Sequence, residues 1–362
     1  MIVFCHLLND RSGSPRILCS VIKTLAKSHD RSCLFVSSDG EGYLDGTGLP
    51  ITRYWYWRTP WRLLTLLTFL SSQVSLFFNL LGDRRIDRDA VLYVNTLLPF
   101  GAALYGKLTN RRVIYHLHEV SVSPAPLRWF LTAIARVTAS DLVYVSDFHR
   151  HRLPISGVRS HTVYNALDAK FFDNAGQHVY QHRHDGKFRV LMLASLRDYK
   201  GVPEFLWLAS SLIQHDDIVF DLVANDDDLD IQRYFYAKQK SDNVIVHRRT
   251  DNPAAYYATA SLVVNLSRPD QCIETFGLTL LEAMAFGIPV IAPPVGGPQE
   301  LVDSGVEGYC IDSRDGKALM ETVLELSAKP DLCEVLSTNA RLRAEQFSPE
   351  AFAQNLRNAL RF

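Results

Sequence analysis

The stretch ETFGLTLLEAMAFG, residues 274–287, places Glu274 and Glu282 eight positions apart around an apolar run. Gly277 and Gly287 lie at the two ends of this run, so it predicts one short helix. Glu274 would lie in the loop before the helix and Glu282 about one turn inside it. The first backbone amides of such a helix lack intrahelical partners and bind phosphate. These amides belong to Phe276, Gly277, Leu278 and Thr279. Carboxylates accept hydrogen bonds from sugar hydroxyls, so the segment offers both groups that a nucleotide sugar needs.

The same spacing also has a structural interpretation. An amphipathic helix can carry one glutamate near its N-terminus, where the helix dipole favours it, and a second glutamate in solvent. In that case neither Glu274 nor Glu282 binds a ligand. The spacing alone leaves the two interpretations open.

Several motifs resemble one family, in the order in which that family carries them. Residues 265–302, which include ETFGL, LEAMA, GIPVI and GGPQE, resemble the donor-binding signature of the retaining glycosyltransferases of family four. Residues 196–201, residues 163–168 and the N-terminal strand with its SGS turn at residues 12–14 match as well. The resemblance implies an α/β fold, called GT-B, in which two Rossmann-like domains face each other across a cleft.

The resemblance also implies a reaction. It is the retaining transfer of a hexose from a nucleoside-diphosphate sugar to a saccharide acceptor, without metal or other cofactor. A lipid-linked saccharide is one candidate acceptor, in surface polysaccharide or glycolipid synthesis. By this resemblance Glu282 holds the ribose, and Lys200 binds the diphosphate together with the helix amides. Glu274 and His118 act at the transferred sugar, and the loop at Gly13 faces the acceptor and the donor phosphates.

The sequence departs from the family after the strand that ends at Ala194. The family's common pattern has Gly-Arg where this chain has Ala194 and Ser195, so one phosphate-binding arginine is missing from its usual place. Arg197, three positions before Lys200, is the candidate replacement. Without the other motifs, these two residues would indicate only a basic surface turn.

Length and composition limit the possible classes of protein. At 362 residues the chain exceeds the usual size of one domain. Its 38 basic residues balance 39 acidic ones, so no strong positive field attracts nucleic acid. The six cysteines form no Cys-x-x-Cys pair, and the N-terminus carries no signal-peptide pattern. We therefore expect a cytoplasmic protein with reduced cysteines.

Apolar runs alternate with helical patterns in two series, which predicts two parallel sheets. We expect an N-terminal acceptor-binding domain at residues 1–168 and a C-terminal nucleotide-sugar-binding domain at residues 188–345, with the ligand in the cleft between them. The polar residues 169–187 predict a linker with solvated histidines. By analogy with the family, we expect the last helix, residues 346–362, to cross back to the first domain.

Two groups of side chains could suggest a metal site. Asp226, Asp227 and Asp228 are consecutive and point in different directions, so a helix cap is the more usual role. His116 and His118 share one face of a strand, but no further ligand cluster accompanies them. A histidine bonded to the backbone is the structural alternative for His118. We expect no metal.

Residues 61–81 form the remaining unusual segment. No charge occurs from Leu63 to Leu81, and small polar residues recur every three or four positions, which predicts a helix with a polar stripe. The helix is long enough to span a membrane. With arginines on both sides, its apolar face instead suits the anionic inner face of the plasma membrane, where a lipid-linked acceptor is presented. Packing on the first sheet is the alternative, and the sequence leaves both open.

Two other functions share these features. A nucleotide-sugar epimerase of the same fold would convert its substrate without an acceptor. A noncatalytic sugar-nucleotide-binding protein would fit the missing arginine, although the intact pair of Glu274 and Glu282 argues against it.

Overall fold

The computed structural model describes residues 1–26, 31–38, 40–120, 122–236 and 238–361. The chain forms two compact units. Unit 1 comprises Met1–Ala166 and the C-terminal residues from Glu350, and unit 2 comprises Leu167–Pro349. Each unit contains one parallel sheet with helices, so the α/β fold class with two sheets is confirmed.

Unit 1 is built on a seven-stranded parallel sheet. Its strands are β1 Ile2–Cys5, β2 Ser32–Ser37, β3 Ile51–Tyr54, β4 Val91–Asn95, β5 Val113–Leu117, β6 Asp141–Tyr144 and β7 Arg159–Thr162. They lie in the order β3-β2-β1-β4-β5-β6-β7. Its first α-helices are α1 Gly13–Leu25, α2 Arg62–Gly82, α3 Phe100–Leu108, α4 Ala125–Thr138 and α5 Asp147–Arg152. The central strand β1 is buried along its whole length, as in a parallel sheet covered on both faces.

Unit 2 repeats this plan with six strands. They are β8 Phe188–Ala194, β9 Ile218–Ala224, β10 Val244–His247, β11 Leu262–Val264, β12 Val290–Ala292 and β13 Gly308–Cys310. The order in the sheet is β10-β9-β8-β11-β12-β13. The helices are α6 Ala169–Gly176, α7 Val202–Ser211, α8 Asp228–Tyr236, α9 Ala254–Tyr257, α10 Leu278–Ala285, α11 Gly316–Ala328 and α12 Pro330–Glu345.

Both sheets change direction once. In unit 1 the strands run outward from β1 to β3, and the chain then returns to place β4 on the other side of β1. Unit 2 makes the same change between β8 and β11. The loops after the two strands that flank such a point diverge and leave a crevice, where ligands of open α/β sheets bind. This topology predicts a ligand site at the loops after β1 and β4 in unit 1 and at the loops after β8 and β11 in unit 2.

The structure differs from the predicted linker at residues 169–187. The first part of this segment is the helix α6, whose N-terminus is capped by Asp168 accepting a hydrogen bond from the Lys170 amide at 3.1 Å. The three histidines of the segment are not simply solvated. The His182 ring nitrogen Nε2 lies 2.9 Å from the carbonyl oxygen of Leu326, and the His178 ring packs on Phe286. The segment belongs to unit 2 because its side chains pack there.

One half-buried arginine attaches this segment to the rest of unit 2. The Arg341 guanidinium donates hydrogen bonds to the carbonyl oxygens of Ala175, Gly176, His178 and Phe286, at 2.7–3.3 Å. Burial lowers the pKa of Arg341 from its ordinary value. Because four carbonyl groups share one cation, the end of α6 and the end of α10 are held together.

The last helix, α13 Pro349–Leu360, completes unit 1 from Glu350 on. It buries one face, formed by Phe352, Leu356 and Leu360. The Arg357 guanidinium also donates to the carbonyl oxygen of Thr24 in α1 at 3.1 Å. Residues from the two ends of the sequence thus belong to one unit.

Four histidines lie at the carboxyl ends of the strands of unit 1 or beside them: His6, His116, His118 and His149. Burial lowers the pKa of His6 and of His149 to about 4 and that of His116 to about 3, and it lowers the pKa of His118 well below the ordinary value. These imidazoles are therefore neutral at pH 7. Unit 1 keeps them uncharged because its interior supplies no water to solvate a cation.

Replacing Arg341 with alanine should release α6 from unit 2. Hydrogen bonds to a charged group contribute about 1.5–3 kcal/mol each when a partner is removed, so we expect a loss of at least about 2 kcal/mol in the unfolding free energy of unit 2. Hydrogen exchange of residues 169–178 should accelerate strongly. Arg233→Ala, which removes an exposed arginine of α8, is the control. Equal exchange in the two variants would show that Arg341 does not hold α6.

Stability of unit 1 should fall as the pH falls. An unfolded histidine titrates near about 6.5, whereas the folded pKa values are lower, so the unfolded chain binds more protons below this pH. The loss should begin near pH 6.5 and continue to about pH 4, where His6 and His149 titrate in the folded protein. Urea unfolding followed by tryptophan fluorescence measures it, because four of the five tryptophans lie in unit 1.

His149→Gln should flatten this pH dependence, while His151→Gln, which changes an exposed histidine of the same helix, should not. A pH dependence that is identical in both variants would contradict the role of burial.

Candidate functional site

The loops after β8 and β11 meet at the side chains of Lys200 and Glu274. Lys200 ends the short 3-10 turn Asp198–Lys200, which follows β8. Its Nζ donates a hydrogen bond to Glu274 Oε1 at 2.7 Å, and the Ser267 hydroxyl donates to the same oxygen at 2.8 Å. The point where the strand order reverses in unit 2 therefore carries an ion pair.

Both members of this pair are charged. Burial by itself would raise the pKa of Glu274, but the neighbouring Lys200 cation and hydrogen-bond donors hold it below its usual range. For Lys200, burial would lower the pKa, and the Glu274 carboxylate more than offsets this and raises it. A partly buried cation that stays protonated is suited to neutralise an anionic ligand.

Two glycines allow the backbone segments of this site to approach closely. Gly201 has φ +84°, and a Cβ there would lie 2.0 Å from the carbonyl oxygen of Leu266. A Cβ on Gly297 would lie 2.1 Å from the carbonyl oxygen of Thr275, and the Gly297 amide donates to the carbonyl oxygen of Glu274 at 3.0 Å. A side chain at Gly201 would push the Lys200 loop away from the loop after β11, and one at Gly297 would push away the loop that carries Glu274.

The helix α10 begins at Leu278, immediately after the Glu274 loop. Gly277 caps it with φ +107°, and the amides of Leu278 and Thr279 lie in its first turn. The Phe276 side chain is buried, with its ring 5.8 Å from that of Phe347. The predicted order of loop, glycine and helix is thus present, with a helix N-terminus directly after Glu274.

Glu282 is buried in α10 and not solvated. Its side chain is 2% exposed, and Oε2 accepts a hydrogen bond from the Tyr257 hydroxyl at 2.6 Å. Tyr257 in turn packs against the rings of Phe171 and Phe286. The structural alternative of one solvated glutamate is therefore wrong for Glu282. A buried carboxylate must have hydrogen-bond donors, and the Tyr257 hydroxyl supplies one of them.

Arg197 is held by its own loop. Its Nη1 donates to the carbonyl oxygen of Leu196 at 3.0 Å and lies 3.7 Å from Asp226 Oδ1. Over half of the side chain is exposed. The structure thus brings together Lys200 and Glu274 and directs Arg197 towards Asp226.

The three consecutive aspartates accept hydrogen bonds from backbone amides or form a surface ion pair. Asp226 Oδ2 accepts from the Leu196 amide at 2.7 Å, Asp227 accepts from the Asp230 amide in the first turn of α8 at 2.9 Å, and Asp228 pairs with exposed Arg248. Among the residues that the structure describes, no three His, Cys, Asp or Glu side chains are grouped as a metal site would require.

Sequence reasoning missed two residues beside the ion pair. The Arg268 amide donates to the carbonyl oxygen of Tyr199 at 2.9 Å, and its guanidinium binds Glu204 at 2.7 Å. The Cys272 thiol lies beside Lys200; burial raises its pKa, and the Lys200 cation opposes this rise. Both residues fall inside the motif at 265–302, but nothing in its pattern says which side chains turn towards Lys200.

In unit 1, His118 follows β5 and is fixed by a side chain. Its Nε2 lies 2.9 Å from Asn95 Oδ1, and its ring centroid lies 4.4 Å from that of His116. The two rings share one face, as alternation along the strand predicts. Because Nε2 bonds to an amide side chain, the alternative of a histidine bonded only to backbone does not describe His118.

Asn95, at the end of β4, connects the groups around the switch point of unit 1. Its Nδ2 lies 3.2 Å from His6 Nδ1 and donates to the carbonyl oxygen of Ser14 at 3.2 Å. Ser14 follows Gly13, the first residue of α1. Sequence reasoning missed Asn95; the signal was a polar residue that ends an apolar strand. His118 and the Gly13 turn are therefore joined through one amide.

Comparison with known proteins agrees with this architecture. Residues 177–343 match the family described as glycosyl transferases group 1. The chain is 25% identical over 219 residues to the N-acetyl-alpha-D-glucosaminyl L-malate synthase of Bacillus anthracis, covering 59% of this chain and 56% of that protein. It is 38% identical over 88 residues to a sucrose synthase of Acidithiobacillus caldus, covering 23% of this chain and 11% of that protein. The chain thus spans only part of these curated relatives.

Solved structures extend the likeness to the whole chain. HepE of Anabaena, crystallised with UDP-glucose, is 20% identical, with a TM-score of 0.78 over 99% of both chains. The sucrose-phosphate synthase of Thermosynechococcus elongatus is 18% identical, with a TM-score of 0.76 over 99% of this chain and 98% of that one. The match to the group 1 glycosyl transferases thus covers residues 177–343, and the likeness to the solved structures shows the two-domain GT-B fold for the whole chain.

Proposed function

We propose that this protein is a retaining, metal-independent hexosyltransferase that uses a nucleoside-diphosphate sugar and a saccharide acceptor. The observation that carries the proposal is the Lys200–Glu274 ion pair at the strand switch of unit 2, directly before the N-terminus of α10. A cation and helix amides together suit a diphosphate, and carboxylates suit sugar hydroxyls.

In the proposed reaction the donor's diphosphate binds the amides at Gly277, Leu278 and Thr279 and the ammonium of Lys200. The bond between the anomeric carbon and the diphosphate oxygen breaks, and the negative charge on the diphosphate grows. An acceptor hydroxyl forms the new bond on the same face of the sugar and gives its proton to the departing diphosphate. Lys200 stabilises that charge because its raised pKa keeps it protonated.

The carboxylates take different roles in this proposal. Glu282, fixed by Tyr257, binds the ribose hydroxyls. Glu274, ionised beside Lys200, stabilises the positive charge that develops on the transferred sugar or orients its hydroxyls. His118, neutral and fixed by Asn95, contacts the sugar from unit 1.

Turnover of nucleotide sugars tests the reaction. UDP-glucose is the first donor to try because structures of Anabaena HepE hold UDP with glucose or UDP-glucose; other bases and hexoses follow. Cell-derived lipid-linked saccharides and free saccharides serve as acceptors. Proton NMR of the product reports whether the anomeric configuration is retained. Conversion of the donor without an acceptor would indicate an epimerase instead.

Glu282→Ala should weaken nucleotide binding at least about tenfold. Removing the acceptor of a charged hydrogen bond costs roughly 1.5–3 kcal/mol, and about 1.4 kcal/mol is a factor of ten. Calorimetry with UDP measures it, with Glu282→Gln as the milder change that still accepts from Tyr257. Glu321→Ala, at an exposed position of α11, is the matched control. Unchanged affinity in folded Glu282→Ala would remove Glu282 from the donor site.

Glu274→Gln and Lys200→Met should reduce turnover more than donor affinity. Both residues act on charge that develops in the transition state, so each loss should lower kcat by about 100-fold or more at saturating donor. Lys187→Met is the control. Lys187 lies just before β8, and its ammonium donates to the backbone carbonyl of Asp216 and not to a carboxylate. Near-normal kcat in both folded variants would refute these catalytic roles.

A further inference from the structure

The helix α2 turns an apolar side to solvent. Leu63, Leu67, Val74, Phe78 and Leu81 are all exposed, by 56–79%. Their spacings of three, four and seven put them on one face of the helix. A row of large apolar side chains this long is unusual on a protein surface in water, where scattered single residues are the norm.

Several polar residues of α2, among them Thr68, Ser72 and Gln73, face the protein instead. The Thr68 hydroxyl donates to the carbonyl oxygen of Trp57 at 2.7 Å, and the buried Gln73 side chain donates to Ser72 Oγ at 3.0 Å. Gln73 Oε1 also accepts from the Gly101 amide, in the first turn of α3, at 3.1 Å. Part of the polar stripe thus supplies internal hydrogen bonds and shares the buried side of the helix with apolar core residues, while the apolar row faces solvent.

Tryptophans surround the N-terminal end of this face. Trp57 and Trp61 precede the helix and are 60% and 75% exposed. Trp129, at the start of α4, is 73% exposed, and ring contacts from Phe69 through Phe100 to Phe130 connect α4 with α2. Exposed tryptophan is characteristic of surfaces that sit at the boundary between lipid and water, because its ring is amphipathic.

The charge at this end has one sign. No acidic residue occurs between Asp45 and Asp83, whereas Arg58 and Arg62 lie within that stretch. In the described ranges neither arginine makes an ion pair, and both are exposed. The other end of α2 is mixed, since three aspartates and three arginines alternate over residues 83–89. An anionic surface would therefore be attracted to the N-terminal end of the helix.

A membrane-crossing role does not suit α2, although its length and hydropathy would allow one. The helix supplies Phe69, Leu76 and Leu80 to the core of unit 1. It also supplies Gln73 to the start of α3. Crossing a bilayer would remove all of these contacts, so a position parallel to the surface is the compatible one.

From this combination we infer that α2, with Trp57, Trp61 and Trp129, is a docking surface for an anionic lipid bilayer, on which the helix lies parallel to the membrane. The apolar row enters the boundary between headgroups and acyl chains, and Arg58 and Arg62 bind lipid phosphates. The inference stands on α2 and its neighbours and does not depend on the proposed transfer reaction. If both hold, the enzyme works where a lipid-linked acceptor would be presented.

Vesicle flotation tests the apolar row. Wild-type protein should float with vesicles of phosphatidylcholine and phosphatidylglycerol, and Leu67→Glu/Phe78→Glu should lower the partition at least about tenfold. Val335→Glu/Leu342→Glu, which adds the same charges at exposed apolar positions of α12, is the matched control and should float like wild type. UDP binding and the melting temperature should not change in either variant.

A second pair of variants tests the charge. Arg58→Gln/Arg62→Gln should weaken binding to vesicles with phosphatidylglycerol and flatten its salt dependence. Arg84→Gln/Arg88→Gln should have a smaller effect, because aspartates alternate with those arginines.

Three outcomes would overturn the inference. The first is wild-type protein that does not float with anionic vesicles. The second is unfolding of Leu67→Glu/Phe78→Glu, which would show that the row is core. The third is a dimer in sedimentation experiments that this variant converts to monomer, which would show that a second copy covers the face.

Discussion

The hydrogen-bonded ion pair of Lys200 and Glu274 is the interaction on which the proposed donor site depends. It joins two loops that are 74 positions apart in sequence and that follow the strands on either side of the switch in unit 2. The pair requires that the loops touch, and Gly201 allows this approach because a Cβ there would lie 2.0 Å from the carbonyl oxygen of Leu266. A partly buried pair of this kind needs both partners, since removal of either would leave the other charge partly desolvated and without its counter-ion.

The two units use their switch points in different electrostatic ways. Unit 2 places a charged pair and a buried carboxylate, Glu282, beside a helix N-terminus. Unit 1 places the neutral imidazoles of His6 and His118 against Asn95, and burial keeps them uncharged. An ammonium beside helix amides suits an anionic diphosphate, whereas neutral hydrogen-bonding groups suit the hydroxyls of a sugar. The two switch points thus carry different chemical groups, although the strands are ordered in the same way around both of them.

The helix α2 shows how a pattern can be clear while its orientation is not. The alternation of small polar and large apolar residues predicts a two-sided helix of the observed length. Either side could face the sheet, because threonine, serine and glutamine can be buried when each finds an internal partner. Here Trp57 and Gly101 provide backbone partners, and the apolar row is left outside.

The sequence by itself determined the α/β class, the two parallel sheets and the position of the helix after Glu274, because these depend on local periodicity and on glycines that end helices. It also identified Lys200, Glu274 and Glu282 as candidate site residues, because they belong to one ordered set of motifs. Only the tertiary structure decided which of these groups touch. Burial of Glu282 against Tyr257, the turn of Arg197 towards Asp226, and the attachment of residues 169–187 to unit 2 by Arg341 all join residues 25 or more positions apart. Such contacts depend on how strands pair and helices pack, and no local pattern encodes them.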